Sequence, residues 1–328
     1  MTAQRLDAET VSTLVGDAVT APSMHNAQPW KFVFRPGLDA IELHGDPERA
    51  MTRTDPDHRA LHLGCAAALF NLRVSAAHNG FGTRTELTPD AAEPWLLARL
   101  VIDDDAEDRG TAALYGALRR RHTSRDPFSD EEVPGALLDG LRAAARLEGC
   151  RLTVPGDWHI ETVLSLVHDA EHREEIDPLA AAEIAAWTGG GSDASGARRD
   201  GIPTAAFGPR SSGGAAPVRD FGRVTPVADR GRATFEKHPQ LALLGSPGDT
   251  RADWLRAGQA LERVLLQATS DGLATAMTSQ PLEWPELRWT ARDPLAPTGH
   301  IHMVLRLGYG PAGAATPRRP VSEVLEIK

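Results

Sequence analysis

Residues 119–128 read Arg-Arg-Arg-His-Thr-Ser-Arg-Asp-Pro-Phe, which sets four arginines, a histidine and two hydroxyls side by side. Guanidinium forks and hydroxyls match the oxygens of a phosphate, each charge-assisted bond contributing about 1.5–3 kcal/mol net. The competing reading is helix chemistry: residues 111–121 read as a helix, and arginines in its last turn would complement the macrodipole. All but three of the 35 basic side chains are arginine, the exceptions being Lys31, Lys237 and Lys328, which dilutes the weight of any one of them. A second stretch, Ala21-Pro22-Ser23-Met24-His25-Asn26-Ala27-Gln28-Pro29-Trp30, offers backbone donors, a hydroxyl and amides between two prolines. It suits a planar polar ligand, and equally an ordinary helix-to-strand connection.

Other patterns carry less. Gly308-Tyr309-Gly310-Pro311-Ala312-Gly313 satisfies the glycine spacing of dinucleotide folds, but Pro317 and Pro320 forbid the helix that must follow. His58 with His62, and His168 with His172, have helical metal-pair spacing without a third ligand, so solvated histidines are expected and no metal. His300 and His302 are read as the polar face of a strand. No Gly-x-Ser-x-Gly elbow occurs, which disfavours a serine hydrolase.

These residues need a scaffold, and 328 residues with 41% hydrophobic and 24% charged side chains can supply one large core or two ordinary ones. The formal charge of −10 disfavours a broad nucleic-acid or anionic-membrane surface, so the basic stretch is a local feature. No apolar run reads as a bilayer span, and residues 1–9 lack the layout of a signal peptide; a cytoplasmic protein is expected. Cys65 and Cys150, far apart in apolar surroundings, are expected as reduced core thiols.

Helical periodicity covers residues 7–20, 61–78, 158–173 and 253–269, the second closed by Asn79-Gly80 as a left-handed cap. Strands are expected at residues 31–34, 96–102, 152–154, 241–244 and 300–307. Ser129 with Glu132 has the spacing of a capping box ahead of a further helix. Residues 188–222 hold nine glycines and three prolines with Ile202, Phe207 and Phe221 among them; spaced large apolar residues favour a lid over a plain linker. A shift of 192 positions sets Ala68, Leu69, Asn79 and Gly80 against Ala260, Leu261, Asp271 and Gly272. The chain therefore reads as two copies of one α/β unit, meeting near residues 103–108.

Arg121-His122-Thr123-Ser124-Arg125 resembles the arginine, basic, serine-or-threonine, any, basic motif of the nitroreductase superfamily, and Pro22 to Trp30 resembles that superfamily's second flavin motif. In the family the two motifs come from different subunits and grip one flavin mononucleotide (FMN) at the homodimer interface; here they lie in two halves of one polypeptide, in reversed order. The length and glycine-rich insert are similar to the Acg-like branch, whose single chain mimics the dimer. The resemblance implies an α+β nitroreductase-like fold of two pseudo-symmetric halves, 1–108 and 109–328, with the lid insert 188–222 in the second.

It also implies one site, because residues 1–6 lack the arginine motif and residues 142–147 replace the Pro-Ser-Asn loop. Arg121, Thr123 and Arg125 are assigned to the phosphate and ribityl chain, and Pro22, Ser23, Met24 and Asn26 to the flavin. Arg319, with Arg318 next, matches the family's C-terminal phosphate ligand, and Ser279 and Gln280 fall where backbone meets flavin N5. The implied activity is FMN-dependent reduction of nitroaromatic, quinone-like or related electrophiles by NADPH or NADH, through hydride at N5 and without a catalytic side chain. A catalytically silent flavin-storing protein with a closed lid, or a specialised biosynthetic dehydrogenase, are the alternatives. As a pseudo-dimer the chain is expected to work as a monomer on a small-molecule substrate or ligand.

Overall fold

The computed structural model describes residues 6–103, 108–189, 199–296 and 298–328. Residues 1–5, most of the 103–108 turn and part of the glycine-rich insert lie outside them. The first half runs α1 (Ala8–Ala18), β1 (Trp30–Arg35), β2 (Ala40–Gly45), α2 (Arg59–His78), β3 (Thr83–Leu87) and β4 (Leu96–Ile102). The second runs α3 (Arg109–Ala112), α4 (Gly135–Leu147), β5 (Arg151–Thr153), α5 (Asp157–Ile176), α6 (Pro178–Ala186), β6 (Arg210–Ser211) and β7 (Arg232–Ala233). It continues through β8 (Gln240–Ser246), α7 (Arg251–Ser270), β9 (Ala274–Thr278), α8 (Pro285–Thr290), β10 (His300–Gly308), α9 (Val321–Val324) and β11 (Leu325–Ile327).

Two antiparallel sheets share one wiring. In the first the order is β1-β2-β4-β3, with α2 joining β2 to β3; in the second it is β5-β8-β10-β9, with α7 joining β8 to β9. Each sheet has its own apolar cluster, one around Phe32, Ile41 and Leu69, the other around Leu141, Leu244 and Leu265. α2 and α7 pack along each other between the sheets. Gly258 makes the approach possible: a Cβ there would meet the Leu63 carbonyl oxygen at 2.3 Å. β11, at the C-terminus, returns to pair in parallel with β1, so the last residues complete the first sheet rather than the second.

Local signals that depend on periodicity hold. Asp7 caps α1 by accepting from Thr10 N at 2.8 Å, and Gly80 and Gly272 take up φ of 84° and 82° after the two long helices. Three expectations fail. Residues 111–121 do not form one helix: after the four residues of α3 the chain tightens into a 3-10 turn at Tyr115–Ala117 and then leaves helical structure. The capping box at Ser129 is absent, α4 starting instead behind Pro134, which cannot continue a helix backwards. α2 does reach spanning length and composition, with mean hydropathy 1.3, but 83% of that window is buried inside the protein.

The insert has a core of its own. Phe207 and Phe221 pack with Ile184, Ile202 and Ala206 and are 1% and 3% exposed. Burying each ring contributes roughly 1.5–3 kcal/mol, enough to hold this part of the chain in place.

Candidate functional site

The loop after α1 is wound tightly. Met24–Asn26 is one 3-10 turn, and His25, Asn26 and Gln28 all have positive φ, at 47°, 56° and 53°. Three non-glycine residues in the left-handed region are costly and persist only where surroundings over-determine them. Here Ser23 Oγ accepts from Gln28 N at 2.9 Å, while the Gln28 amide donates to Arg199 O at 2.8 Å and accepts from Arg319 N at 2.8 Å. Asn26 is used completely: its Nδ2 donates to Gly201 O (2.9 Å) and Pro317 O (3.0 Å), and its Oδ1 accepts from Arg318 Nη1 at 2.9 Å. One side chain thus knots the loop, the insert and the C-terminal tail. Asn26→Ala removes all three bonds at a buried position and orphans the Gly201 carbonyl, while Pro317 O and Arg318 Nη1 keep each other at 3.1 Å and Arg318 Nη1 keeps Thr316 Oγ1 at 2.6 Å. At about 1–3 kcal/mol for an orphaned group, the expected loss is roughly 1–3 kcal/mol of stability, read as an earlier urea midpoint.

The arginine stretch lies against this loop. Arg121, 3% exposed, donates through Nη2 to Thr20 O at 3.1 Å, and Arg318 Nη2 donates to the same carbonyl at 3.0 Å and to Ala21 O at 3.1 Å. Both guanidinium Nε groups are buried without a hydrogen-bond acceptor. Burial, then the neighbouring Arg121 charge, draws the Arg318 pKa down to about 9, and burial with both arginines lowers that of His122. Mutually repelling cations with unused donors describe an anion cradle. Ser124 N donates to Thr275 O at 2.8 Å, pinning the segment to β9, and Gly313 passes so close that a Cβ would meet Thr123 O at 2.1 Å.

A second cationic group stands in the same cavity. Arg125 donates to Ala206 O at 2.9 Å with its guanidinium 5.0 Å from the Phe221 ring centre, and burial with the nearby Arg219 charge draws its pKa down to about 10. Arg219 is held by Glu283 (3.0 Å) and Glu174 (2.8 Å). His25 packs edge-on to Phe221 at 5.4 Å, and burial plus Arg219 and Arg125 keep it neutral well below its ordinary range. The shared cavity measures about 1170 Å³ with its open mouth included.

Ten of the expected site residues line this one cavity: Pro22, Ser23, Met24 and Asn26 from the loop, Arg121, Thr123 and Arg125 from the arginine motif, Ser279 and Gln280 after β9, and Arg318 from the tail. Arg319 does not. Its guanidinium turns to Gln28 O (3.4 Å) and Glu323 O (3.0 Å), so the order of the two tail arginines is reversed. The Ser279 hydroxyl and Gln280 amide are spent on Glu283 (2.8 Å) and Glu174 (3.1 Å). Arg119, which pairs with Asp17 at 2.9 Å from an exposed position, and the exposed Arg120 stay outside the cavity, on a turn rather than a helix face. Arg219 and His25 were not among the expected site residues; Arg219 sits in a glycine-rich stretch where no periodicity marks it.

Two histidine expectations are corrected. His62 is 1% exposed, its Nδ1 at 2.6 Å from His58 O, and burial lowers its pKa to about 4. His302 is fully buried beside a bulge in β10, 2.6 Å from Ser246 Oγ, its pKa lowered to about 3 chiefly by burial. Neither is a solvated side chain. Among the described residues no group of three or more His, Cys, Asp or Glu side chains is arranged to hold a metal. Cys65 and Cys150 are buried free thiols, both raised in pKa by burial.

Comparison with known proteins supplies the family. The sequence profile of the Nitroreductase family matches residues 118–309. A Mycobacterium tuberculosis protein named "Putative NAD(P)H nitroreductase" is 33% identical over 98% of this chain and 92% of its own length. The acg protein of the same organism, which carries the same name, is 28% identical over 98% and 96%. Among solved structures, a nitroreductase-type protein from Anabaena variabilis superposes with a TM-score of 0.51 at 12% identity, covering 92% of this chain and 88% of that one, a likeness of fold. With a family profile spanning more than half of its residues and a full-length relative at 33% identity, the chain belongs to the nitroreductase family.

Proposed function

We propose that the cavity binds FMN and that the protein is an FMN-dependent oxidoreductase of nitroreductase type, using NADPH or NADH to reduce nitroaromatic, quinone-like or related electrophiles. The observation that carries this reading is the cradle: the buried Arg121 guanidinium and the half-buried Arg318 guanidinium stand together in a cavity whose other walls include Leu63, Leu261, Met277 and Met303. That donor set fits a phosphorylated flat ring, which asks for charge at one place and apolar surface elsewhere. Bound FMN would supply the two-electron redox chemistry. Arg121 and Arg318 would hold its phosphate, Thr123 and Arg125 its ribityl chain, and Pro22, Ser23 and Met24 would border the ring. The nicotinamide reductant is inferred from the names of the relatives.

The shared wiring of the two sheets supports reading residues 1–108 and 109–328 as stand-ins for two subunits, so that a monomer would be complete. Protein purified without stripping should carry one FMN per chain by its visible absorbance, and NADPH or NADH should bleach it in stopped flow. A colourless protein that also fails to take up added FMN would refute the proposal.

One observation favours a second reading, a flavin-binding protein without turnover. The insert is bonded across the cavity through Asn26 to Gly201, Arg125 to Ala206 and Thr278 Oγ1 to Pro217 O at 2.8 Å. Stoichiometric FMN that neither nicotinamide bleaches within minutes would decide for it.

A further inference from the structure

Glu262 stands on α7 with no exposed surface. Arg121 lines the cavity and Glu262 does not, so the carboxylate lies behind the guanidinium, its Oε1 3.4 Å from Arg121 Nε. The contact lacks hydrogen-bond geometry, and both carboxylate oxygens are buried without a donor. The charged groups that act on it are Arg121 and, from the tail, Arg318; Asn71 on α2 is its neutral polar neighbour. His122 belongs to the same cluster through the two arginines. Arg263, next on α7, is turned away to Glu148 and Thr111.

Two guanidinium groups and one carboxylate leave the free cradle with one net positive charge. A phosphomonoester dianion bound there would reverse that to one net negative charge in a buried place, which is costly. Protonating Glu262 restores neutrality. We propose that Glu262 is the counterweight that fits this cradle to a phosphomonoester dianion: ionised opposite Arg121 and Arg318 while the cradle is free, it takes up one proton from solvent when the dianion binds. This inference rests on the FMN reading. Burial already raises the free carboxyl to about 7 against the pull of Arg121, and a further rise of about two units, from the added dianion, protonates it at pH 8.

The sign is diagnostic. Binding that consumes a proton weakens as pH rises above about 7, by at most tenfold per unit. The second ionisation of a phosphate, near pH 6, acts in the opposite direction by supplying more dianion. His122 is lowered from an ordinary value near 6.5 and titrates below this window.

Flavin-free full-length protein is titrated with FMN and with riboflavin at pH 7 and pH 8, by calorimetry in two buffers of different ionisation heat. Wild type should take up close to one proton per FMN at pH 8, and its FMN Kd should weaken about 3- to 10-fold between the two pH values. Riboflavin, lacking the phosphate, should show neither effect, and Glu262→Gln should bind FMN without proton uptake and with a Kd that does not weaken. FMN binding without proton uptake in wild type, or uptake retained in Glu262→Gln, overturns the inference while leaving the flavin site standing. If Glu262→Gln does not fold, the wild-type contrast between FMN and riboflavin decides. Binding of neither flavin overturns both this inference and the proposed function.

Discussion

At pH 8 to 9 Arg121→Ala should lose FMN and part of its folding stability at once, and the second loss should be recoverable without the first. The substitution leaves the Glu262 carboxyl, which has no exposed surface, without its counter-charge, so it folds protonated, at a cost of about 1.4 kcal/mol for each pH unit above 7, where burial already places its pKa. Adding Glu262→Gln removes the ionisable carboxyl, so the double variant should regain most of its urea midpoint. It should still elute colourless, because the cradle then keeps only Arg318. A single variant that holds flavin as wild type does would refute the assignment of Arg121 to the phosphate. A double variant no more stable than the single would show that Arg121 acts through packing.

The second large effect lies under the arginine motif. Arg306 on β10 is 0% exposed and grips Glu236 with two nitrogens, Nε and Nη2, the latter at 2.8 Å; Nη2 also donates to Asp126 O at 2.9 Å. Glu236 in turn accepts from Phe128 N at 3.0 Å, and the guanidinium lies 3.6 Å from the Phe128 ring centre. The pair therefore staples residues 126–128, directly after the motif, to the sheet. Glu236→Ala leaves a buried guanidinium without its counter-charge and should cost about 3–5 kcal/mol, whereas Glu236→Leu with Arg306→Met should approach wild-type stability. Flavin retention should fall in the single variant, since the staple holds the segment carrying Arg121 and Arg125. Equal midpoints for the single and double variants would remove the ion pair from the account.

The fold was legible wherever a local rule was enough. Two long helices of period 3.6 with left-handed caps, 192 positions apart, were legible because periodicity and capping involve residues within a turn or two of each other. β2 and β3 were missed: β2 is buried along almost its whole length and β3 is a short, polar edge strand, so neither shows the apolar–polar alternation that marks a half-buried strand. Residues 111–121 carried helix-forming side chains but had to deliver Arg121 and Thr123 to different neighbours, Thr20 and Thr275, and tertiary contacts overrode propensity.

The site divides the same way. From the residues alone came the donor types, the proline-bracketed loop and the arginine motif, since the chemistry a side chain can perform is carried by its own atoms. Arg318 and Arg319 are neighbours in sequence and equal in chemistry, yet in an extended tail successive side chains leave on opposite sides, and only packing selects the one that enters the cavity. Arg219 and Glu262 gain their places from partners 45 to 141 positions away, Glu174 and Arg121. What the sequence by itself determined was which groups could bind an anion; which of them are buried together, and with what charge left over, was decided by the tertiary structure, because burial and electrostatics depend on distances that no local pattern encodes.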